Sequence, residues 1–314
     1  MDRPIQFGLF QPQIGLPFPL LKERALACEE YGFHSIWFTD HMWPRGMTQV
    51  DFLEGWTVMS SMAMVTKTLR IGGLVLCNSY RNPAFLAKMA ASLDNISAGR
   101  VEIGLGAGWM NEEYEAYGYP FPSGGTRADQ MKEGVEIMKK MFTEDAASYA
   151  GEHYTIAEAH CNPKPIQQPY PPITIGAMAE RKGLKIVAEH ADRWNCPAAA
   201  AHKIEQKWAV ITDHCKTIGR NPEEIEISEQ TLVVLGKDKQ DFDSKYPRAK
   251  KTLGRLANLD KCGVCGDPGG VIRALQEKNK KGVTLFTMMF SDMAQDDFLA
   301  TLKIFANEVM PAFR

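Results

Sequence analysis

Four short apolar runs in the first third of the chain start 30, 36 and 30 residues apart, at positions 5, 35, 71 and 101. That interval holds one strand, one covering helix and two short connections. The runs are Ile5–Phe10, Ser35–Thr39, Ile71–Cys77 and Val101–Leu105. Helical stretches stand between them: Leu20–Tyr31, with Leu21, Ala25 and Cys28 on one face, then Phe52–Val65, then Ala84–Ile96 with Pro83 at its start. A chain that repeats this unit must bury each strand on both faces.

Past Gly104 the beat loosens. Residues 117–126 are rich in Gly and Pro, and Arg127–Phe142 is a helix with Met131, Val135, Met138 and Phe142 on one stripe. Ala147–Ile156 reads as a hairpin or irregular insert, and the five prolines in 163–172 exclude helix there. Then the beat returns. Strands are expected at Ile173–Ile175, Arg193–Asn195, Ile225–Leu235 and Val283–Met288, with helices over Glu180–Glu189 and Ala200–Ile218 and a closing helix through Phe298, Leu302, Phe305 and Val309. Eight strands, each followed by a helix, predict a closed parallel (β/α)8 TIM barrel with insertion segments, read as one domain over 1–314. An open, doubly wound sheet is the structural alternative.

The 36 basic and 38 acidic residues leave a net charge of −2, so no broad nucleic-acid surface is expected. No apolar run nears the ~20 residues of a membrane span, and the opening MDRPIQFGLF lacks a basic region leading into an apolar one. Seven cysteines, an odd number, argue against a disulfide framework and suit a reducing cytoplasm. The expected partner is a small-molecule substrate.

Active sites of such barrels lie at the C-terminal strand ends. Those ends carry Asp40, His41 and Trp43 after strand two, Asn78 and Tyr80 after strand three, and Gly106–Glu113 after strand four. Strand five ends in Gly176–Arg181, strand six in Asn195, and strand eight in Met289–Asp292. Gly104, Gly106 and Gly108 miss the dinucleotide pattern GxGxxG, because Trp109 stands where the third glycine belongs; they suit a close backbone passage instead. The lone Cys262-Gly-Val-Cys265 pair lacks the further ligands that zinc needs, so no metal site is expected. Asp40 beside His41 supplies a charge partner for an imidazole poised near neutral pH. Glu112 and Glu113 open a helix, where carboxylates also simply complement the dipole.

Several segments together resemble one family, the luciferase-like flavin and deazaflavin monooxygenases and oxidoreductases. They are FGLFQPQ (7–13), EEYGFHSIWFTDH (29–41), the long stretch LRIGGLVLCNSYRNPAFLAKMAASLDNISAGRVEIGLGAGWMNEEYEAYG (69–118), TRADQMKEGVEIMKKMFTED (126–145) and ITIGAMAERKGLKIVAEHADRWN (173–195). The GAGWMNEEYEAYG form and the TDH after strand two look more like the branch that uses coenzyme F420 than the FMN-using luciferases. The resemblance implies a non-prolyl cis peptide at or next to Leu74–Val75, behind the flat ring. It also implies a cofactor site including Asp40, Leu74, Val75, Asn78, Gly106, Ala107, Gly108 and Asn195. The cofactor phosphate is expected on backbone amides of Gly176, Ala177, Met178, Ala179, Glu180 and Arg181 at a helix start; Ala177, Met178 and Ala179 depart from the Gly-rich form. Family members acting on sugar phosphates carry Glu where this chain has Trp109.

The expected activity is hydride transfer between F420 and a small apolar or aromatic substrate, with His41 as proton carrier or as a hydrogen-bond donor to the ring, and Asp40 orienting it or contacting the cofactor. Trp43, Tyr80, Trp109 and Glu112 would line the substrate pocket. An FMN-dependent monooxygenase using reduced flavin and O2, and a silent flavin-binding barrel, are the alternatives. A homodimer, and a flavin reductase or F420-reducing enzyme supplying reduced cofactor, are the partners implied.

Overall fold

Each apolar run pairs in parallel with its successor, and the last returns to the first. The structure is a computed structural model describing residues 3–291 and 293–314; Asp292, expected at the end of strand eight, lies outside the described residues. The strands are β1 (Gln6–Phe10), β2 (Ser35–Phe38), β3 (Arg70–Gly73), β4 (Leu76–Cys77) and β5 (Val101–Gly106). A small antiparallel hairpin follows, β6 (Ala147–Ala150) with β7 (Thr155–Ala159). Then come β8 (Ile173–Gly176), β9 (Arg193–Cys196), β10 (Glu226–Leu235), β11 (Val264–Gly266) and β12 (Val283–Phe290). The barrel order is β1-β2-β3-β5-β8-β9-β10-β12, closed where β12 pairs with β1, with β4 beside the end of β5. The open-sheet alternative is thereby excluded.

The outer layer holds α1 (Phe18–Glu30), α2 (Gly55–Val65), α3 (Pro83–Ile96), α4 (Asn111–Tyr117), α5 (Gly124–Thr143) and α6 (Gly183–His190). It continues with α7 (Ile204–Ile218), α8 (Lys239–Thr252), α9 (Leu259–Cys262), α10 (Pro268–Lys280) and α11 (Gln295–Ile304). Local chemistry sets their starts. At α3, Asn82 Oδ1 accepts from the amides of Ala84 and Phe85, and Pro83 fills a position that needs no donor.

The main core lies between strands and helices, with Leu21, Met59, Ile71, Val135 and Ile211 fully buried. Phe10, Trp37, Leu74 and Leu285 form a separate cluster among the strand side chains, and Val75 and Met289 pack onto it. Glu102 sits nearer the strands' N-terminal ends, bonded to Arg193 Nη1 at 2.8 Å and to Arg70 Nε, while Arg193 also pairs with Glu226. Burial pushes the Glu102 carboxyl up, but Arg193 and Arg70 more than offset this and hold it below the usual range. A 350 Å³ cavity opens here, lined by Arg3, His34, Arg70, Glu102 and Arg193 among others.

The structure departs from the sequence reading at several elements. The third strand is not continuous: Leu74 and Val75 separate β3 from β4. The helix expected over 180–189 begins at Gly183, so residues 177–182 are loop and turn. The stretch 200–218 starts as a 3₁₀ helix over Ala198–Lys203, and the closing helix ends in a π-helical turn over Phe305–Val309. β11, which contains Cys265, was not expected; it pairs only with the end of β10. All seven cysteines are free thiols, and Cys262 Sγ lies 3.5 Å from His202 Nδ1.

Candidate active site

β2 ends one residue before Thr39, and the chain turns outward through Asp40 and His41. The two side chains part company. Asp40 is buried and takes a two-pronged bond from Arg81, Nη1 to Oδ2 at 2.7 Å and Nη2 to Oδ1 at 2.9 Å, while the Cys77 amide donates to Oδ2 at 2.8 Å. The expectation that Asp40 orients His41 is therefore corrected. Both its oxygens are committed to Arg81 and β4, so it clamps the end of one strand to the next. Arg81 also reaches Glu54 Oε1 at 2.7 Å, the residue whose carboxylate caps α2.

His41 finds its partner 72 residues away. Its Nδ1 lies 2.8 Å from Glu113 Oε2, which also accepts from Tyr80 Oη at 2.7 Å; Glu113 Oε1 accepts from the Met42 amide at 2.6 Å. Burial pushes the Glu113 carboxyl up, yet the His41 ring, the Tyr80 hydroxyl and the Met42 amide together hold it below the ordinary carboxylate range. Its neighbour lies differently. Glu112, expected in the pocket, is exposed, whereas Glu113 is fully buried. A helix places residues three and four apart on one face, so Met110, Glu113, Tyr114 and Tyr117 share a stripe that Glu112 does not. That stripe was the available signal for Glu113; Arg81 and Glu54 had none.

The aromatic residues pack in two pairs and one buried cluster. Trp109 is 54% exposed and stands edge-on to His41, their ring centroids 5.5 Å apart, with the Arg45 guanidinium 5.3 Å over the indole. Trp43 stacks on Tyr117 at 5.9 Å. Tyr80 is buried behind Glu113 and packs on Tyr114 and Tyr119, so it supports the rim rather than walling an open pocket.

The Leu74–Val75 peptide is cis, at the position the resemblance implied. Val75 crowds the glycines of the next strands. A Cβ on Gly106 would lie 2.5 Å from Val75 Cγ2, one on Gly176 would lie 3.0 Å from Val75 Cγ1, and one on Gly104 would lie 2.0 Å from the Gly73 carbonyl oxygen. Gly108 adopts φ 76°, and a Cβ there would strike Tyr114 Oη. The glycine run thus serves a tight backbone crossing and leaves no place for a dinucleotide turn.

Asn78 is held by α5 and the insert hairpin. The strand alternation ends at Cys77, and the 3₁₀ turn Asn78–Tyr80 swings the amide against Gly134 of α5, where Nδ2 donates to Tyr154 Oη at 3.2 Å. It braces the insert hairpin. Asn195 is buried, its Nδ2 donating to Ser228 Oγ at 3.0 Å. Ala107 and Ala177 are half-buried, and Met178, Ala179, Glu180 and Arg181 are exposed.

The loop after β8 fits an anionic group even though the helix starts later than expected. Among the described residues no acceptor takes the amides of residues 178–182, while the Glu180 side chain is drawn off to Lys207 Nζ at 2.8 Å. A run of unpaired amides ahead of α6 suits a phosphate such as F420 and FMN both carry. No group of three or more His, Cys, Asp or Glu suited to a metal ion occurs among the described residues, and no described helix is long and apolar enough to cross a membrane.

Closed parallel barrels place their active sites at the C-terminal strand ends, where these polar and aromatic residues lie. The sequence model of the luciferase-like monooxygenase family matches residues 9–260, and the chain belongs to that family. One curated relative is an F420-dependent glucose-6-phosphate dehydrogenase of Amycolatopsis mediterranei, 31% identical over 55% of this chain and 50% of that protein. Another is an FMNH(2)-dependent dimethylsulfone monooxygenase of Pseudomonas putida, 23% identical over 62% of this chain and 56% of that protein. The chain thus spans about half the length of these relatives. Among solved structures, an F420-dependent secondary alcohol dehydrogenase in complex with an F420-acetone adduct superposes with TM-score 0.85 at 21% identity, covering 99% of this chain and 100% of that one.

Proposed function

We propose that this protein is an oxidoreductase that moves a hydride between coenzyme F420 and a small organic substrate with an apolar or aromatic body. The observation that carries the reading is His41: it stands at a strand end beside an exposed indole, one ring nitrogen held by a buried carboxylate. When bound, the deazaflavin supplies the two-electron hydride chemistry. Hydride removal from an alcohol leaves a proton to be placed, and carbonyl reduction needs one delivered. His41 takes or gives that proton at its Nε2, which has no hydrogen-bond partner among the described residues. Trp109 and Trp43 flank the apolar part of the substrate. Leu74, Val75, Gly106, Ala107 and Gly108 would hold the flat ring, and the amides of the loop after β8 would hold the phosphate. Asp40, through the Cys77 amide, ties the chain after β2 to β4, and Arg81 links it on to Glu54 at the start of α2.

The FMNH(2)-dependent relative supports a second reading, oxygenation by reduced flavin with a reductase as partner. Incubation with oxidised F420 and a panel of secondary alcohols, followed by the deazaflavin absorbance, separates the two. Bleaching with at least one alcohol supports hydride transfer. Turnover only with reduced FMN and O2 supports oxygenation, and cofactor binding without turnover on any substrate supports a silent barrel.

The reading extends to a cytoplasmic homodimer built as one domain per chain. α2 contains no charged residue, and Met64, Phe85 and Ile96 are 72%, 61% and 59% exposed on α2 and α3, an apolar face suited to a second copy. Sedimentation equilibrium at the mass of one chain would remove this part of the reading.

A further inference from the structure

We propose that Glu113 is a positioning residue that sets the tautomer of His41, so that the neutral ring always presents a bare Nε2 at the mouth of the barrel. The proposal rests on His41 carrying a proton, as above, but its first test does not.

The geometry leaves one arrangement of protons. Glu113 is 0% exposed and has four neighbours' worth of demand on two oxygens: Oε2 faces His41 Nδ1 and Tyr80 Oη, and Oε1 faces the Met42 amide at 2.6 Å and, at 3.5 Å, that of Trp43. An ionised carboxylate can only accept. Both backbone amides can only donate, and the Tyr80 phenol stays protonated because burial and the carboxylate both oppose its ionisation. His41 Nδ1 must therefore carry a hydrogen and donate it. In a neutral imidazole the other nitrogen is then a lone-pair acceptor. Asp40 cannot substitute, since Arg81 and the Cys77 amide occupy both of its oxygens.

Glu113→Gln inverts this logic with almost no change of shape. The Met42 amide, fixed in the backbone, still needs an acceptor, so the glutamine carbonyl turns toward it. Its NH2 group then faces Nδ1 and Tyr80 Oη. The tyrosine hydroxyl can rotate to accept, but Nδ1 can accept only if the ring proton moves to Nε2. The variant ring presents a hydrogen where the wild type presents a lone pair.

The direct experiment is ¹⁵N NMR of the protein with labelled histidine, read at a pH where the ring is neutral, on wild type and Glu113→Gln. His41, assigned by loss of its signal in His41→Asn, is expected as the Nδ1–H tautomer in wild type and as Nε2–H in Glu113→Gln. A wild-type ring in the Nε2–H form overturns the proposal even if the variant cannot be made. An unchanged tautomer in a folded variant also overturns it. In turnover with F420, Glu113→Gln is expected to lower kcat ~10²–10⁴-fold, as loss of a placed proton carrier does, with KM and cofactor Kd altered no more than a few-fold. Normal turnover by a variant with an inverted tautomer would leave the Glu113 assignment standing and remove His41 as the proton carrier.

Discussion

Two glycines of one strand should respond differently to the same added methyl group. In Gly104→Ala the new Cβ lies 2.0 Å from the Gly73 carbonyl oxygen, 3.2 Å from its carbon and 3.4 Å from Val75 Cγ1. The nearest of these is backbone in the adjacent strand, so relief requires two strands to part by more than an ångström. In Gly106→Ala the Cβ meets Val75 Cγ2 at 2.5 Å but Val75 Cβ only at 3.6 Å, and a side chain can be removed. Overpacking in a close-packed interior costs ~1–3 kcal/mol and at times more. Gly104→Ala belongs at or above the top of that range and Gly106→Ala inside it. Val75→Ala deletes Cγ1 and Cγ2 and turns the second clash into ordinary contact. The Gly106→Ala/Val75→Ala pair should therefore show a favourable coupling of ~1–3 kcal/mol in a double-mutant cycle. The pair built on Gly104 should show little, because the carbonyl clash remains. Urea unfolding of the three single variants, the two double variants and the wild type measures both. A Gly104→Ala protein within about 0.5 kcal/mol of wild type, or no coupling for Gly106 and Val75, would refute the account of why this strand is rich in glycine.

Three further outcomes are expected. His41→Asn keeps a hydrogen-bonding side chain but cannot titrate, so kcat should fall ~10²–10⁴-fold with F420 affinity changed only a few-fold; steady-state kinetics and a cofactor titration check this, and normal turnover would make His41 structural. Ala179→Pro removes one unpaired amide from the loop after β8 and should weaken cofactor binding while leaving the melting temperature within a few degrees; unchanged affinity moves the phosphate elsewhere. Burial lowers the His34 pKa to about 4 from 6.5, so the unfolded chain binds the extra proton first, and stability should be lost as pH falls from 6.5 toward 4, by up to about 3 kcal/mol. His34→Asn should flatten that part of the urea-derived stability profile, and an equal slope in both proteins would contradict the assignment.

What could be read from the chain followed from how local the determining physics is. The βα interval, the Pro83 start of α3 and the amphipathic stripe of α5 depend on neighbours within one element, and the structure contains all three. The split of the third strand could not come from hydrophobic pattern, because Leu74 and Val75 are as apolar as a continuous strand requires. Asn78 packs against α5 because a 3₁₀ turn begins there and ends the strand alternation at Cys77. The partners of Asp40 and His41 lie 41 and 72 residues away, beyond any spacing rule. Adjacency in sequence suggested Asp40 for His41, whereas consecutive residues leaving a strand diverge. Glu113 alone is legible locally, from the stripe Met110, Glu113, Tyr114 and Tyr117, which Glu112 does not share.

Whether this barrel takes a deazaflavin, as proposed, is decided by parallel titrations of the purified protein with oxidised F420 and with FMN, followed by cofactor fluorescence. Saturable binding of F420 is expected, at least tenfold tighter than FMN, and weakened by Ala179→Pro. Saturable binding of FMN with no response to F420 would contradict it.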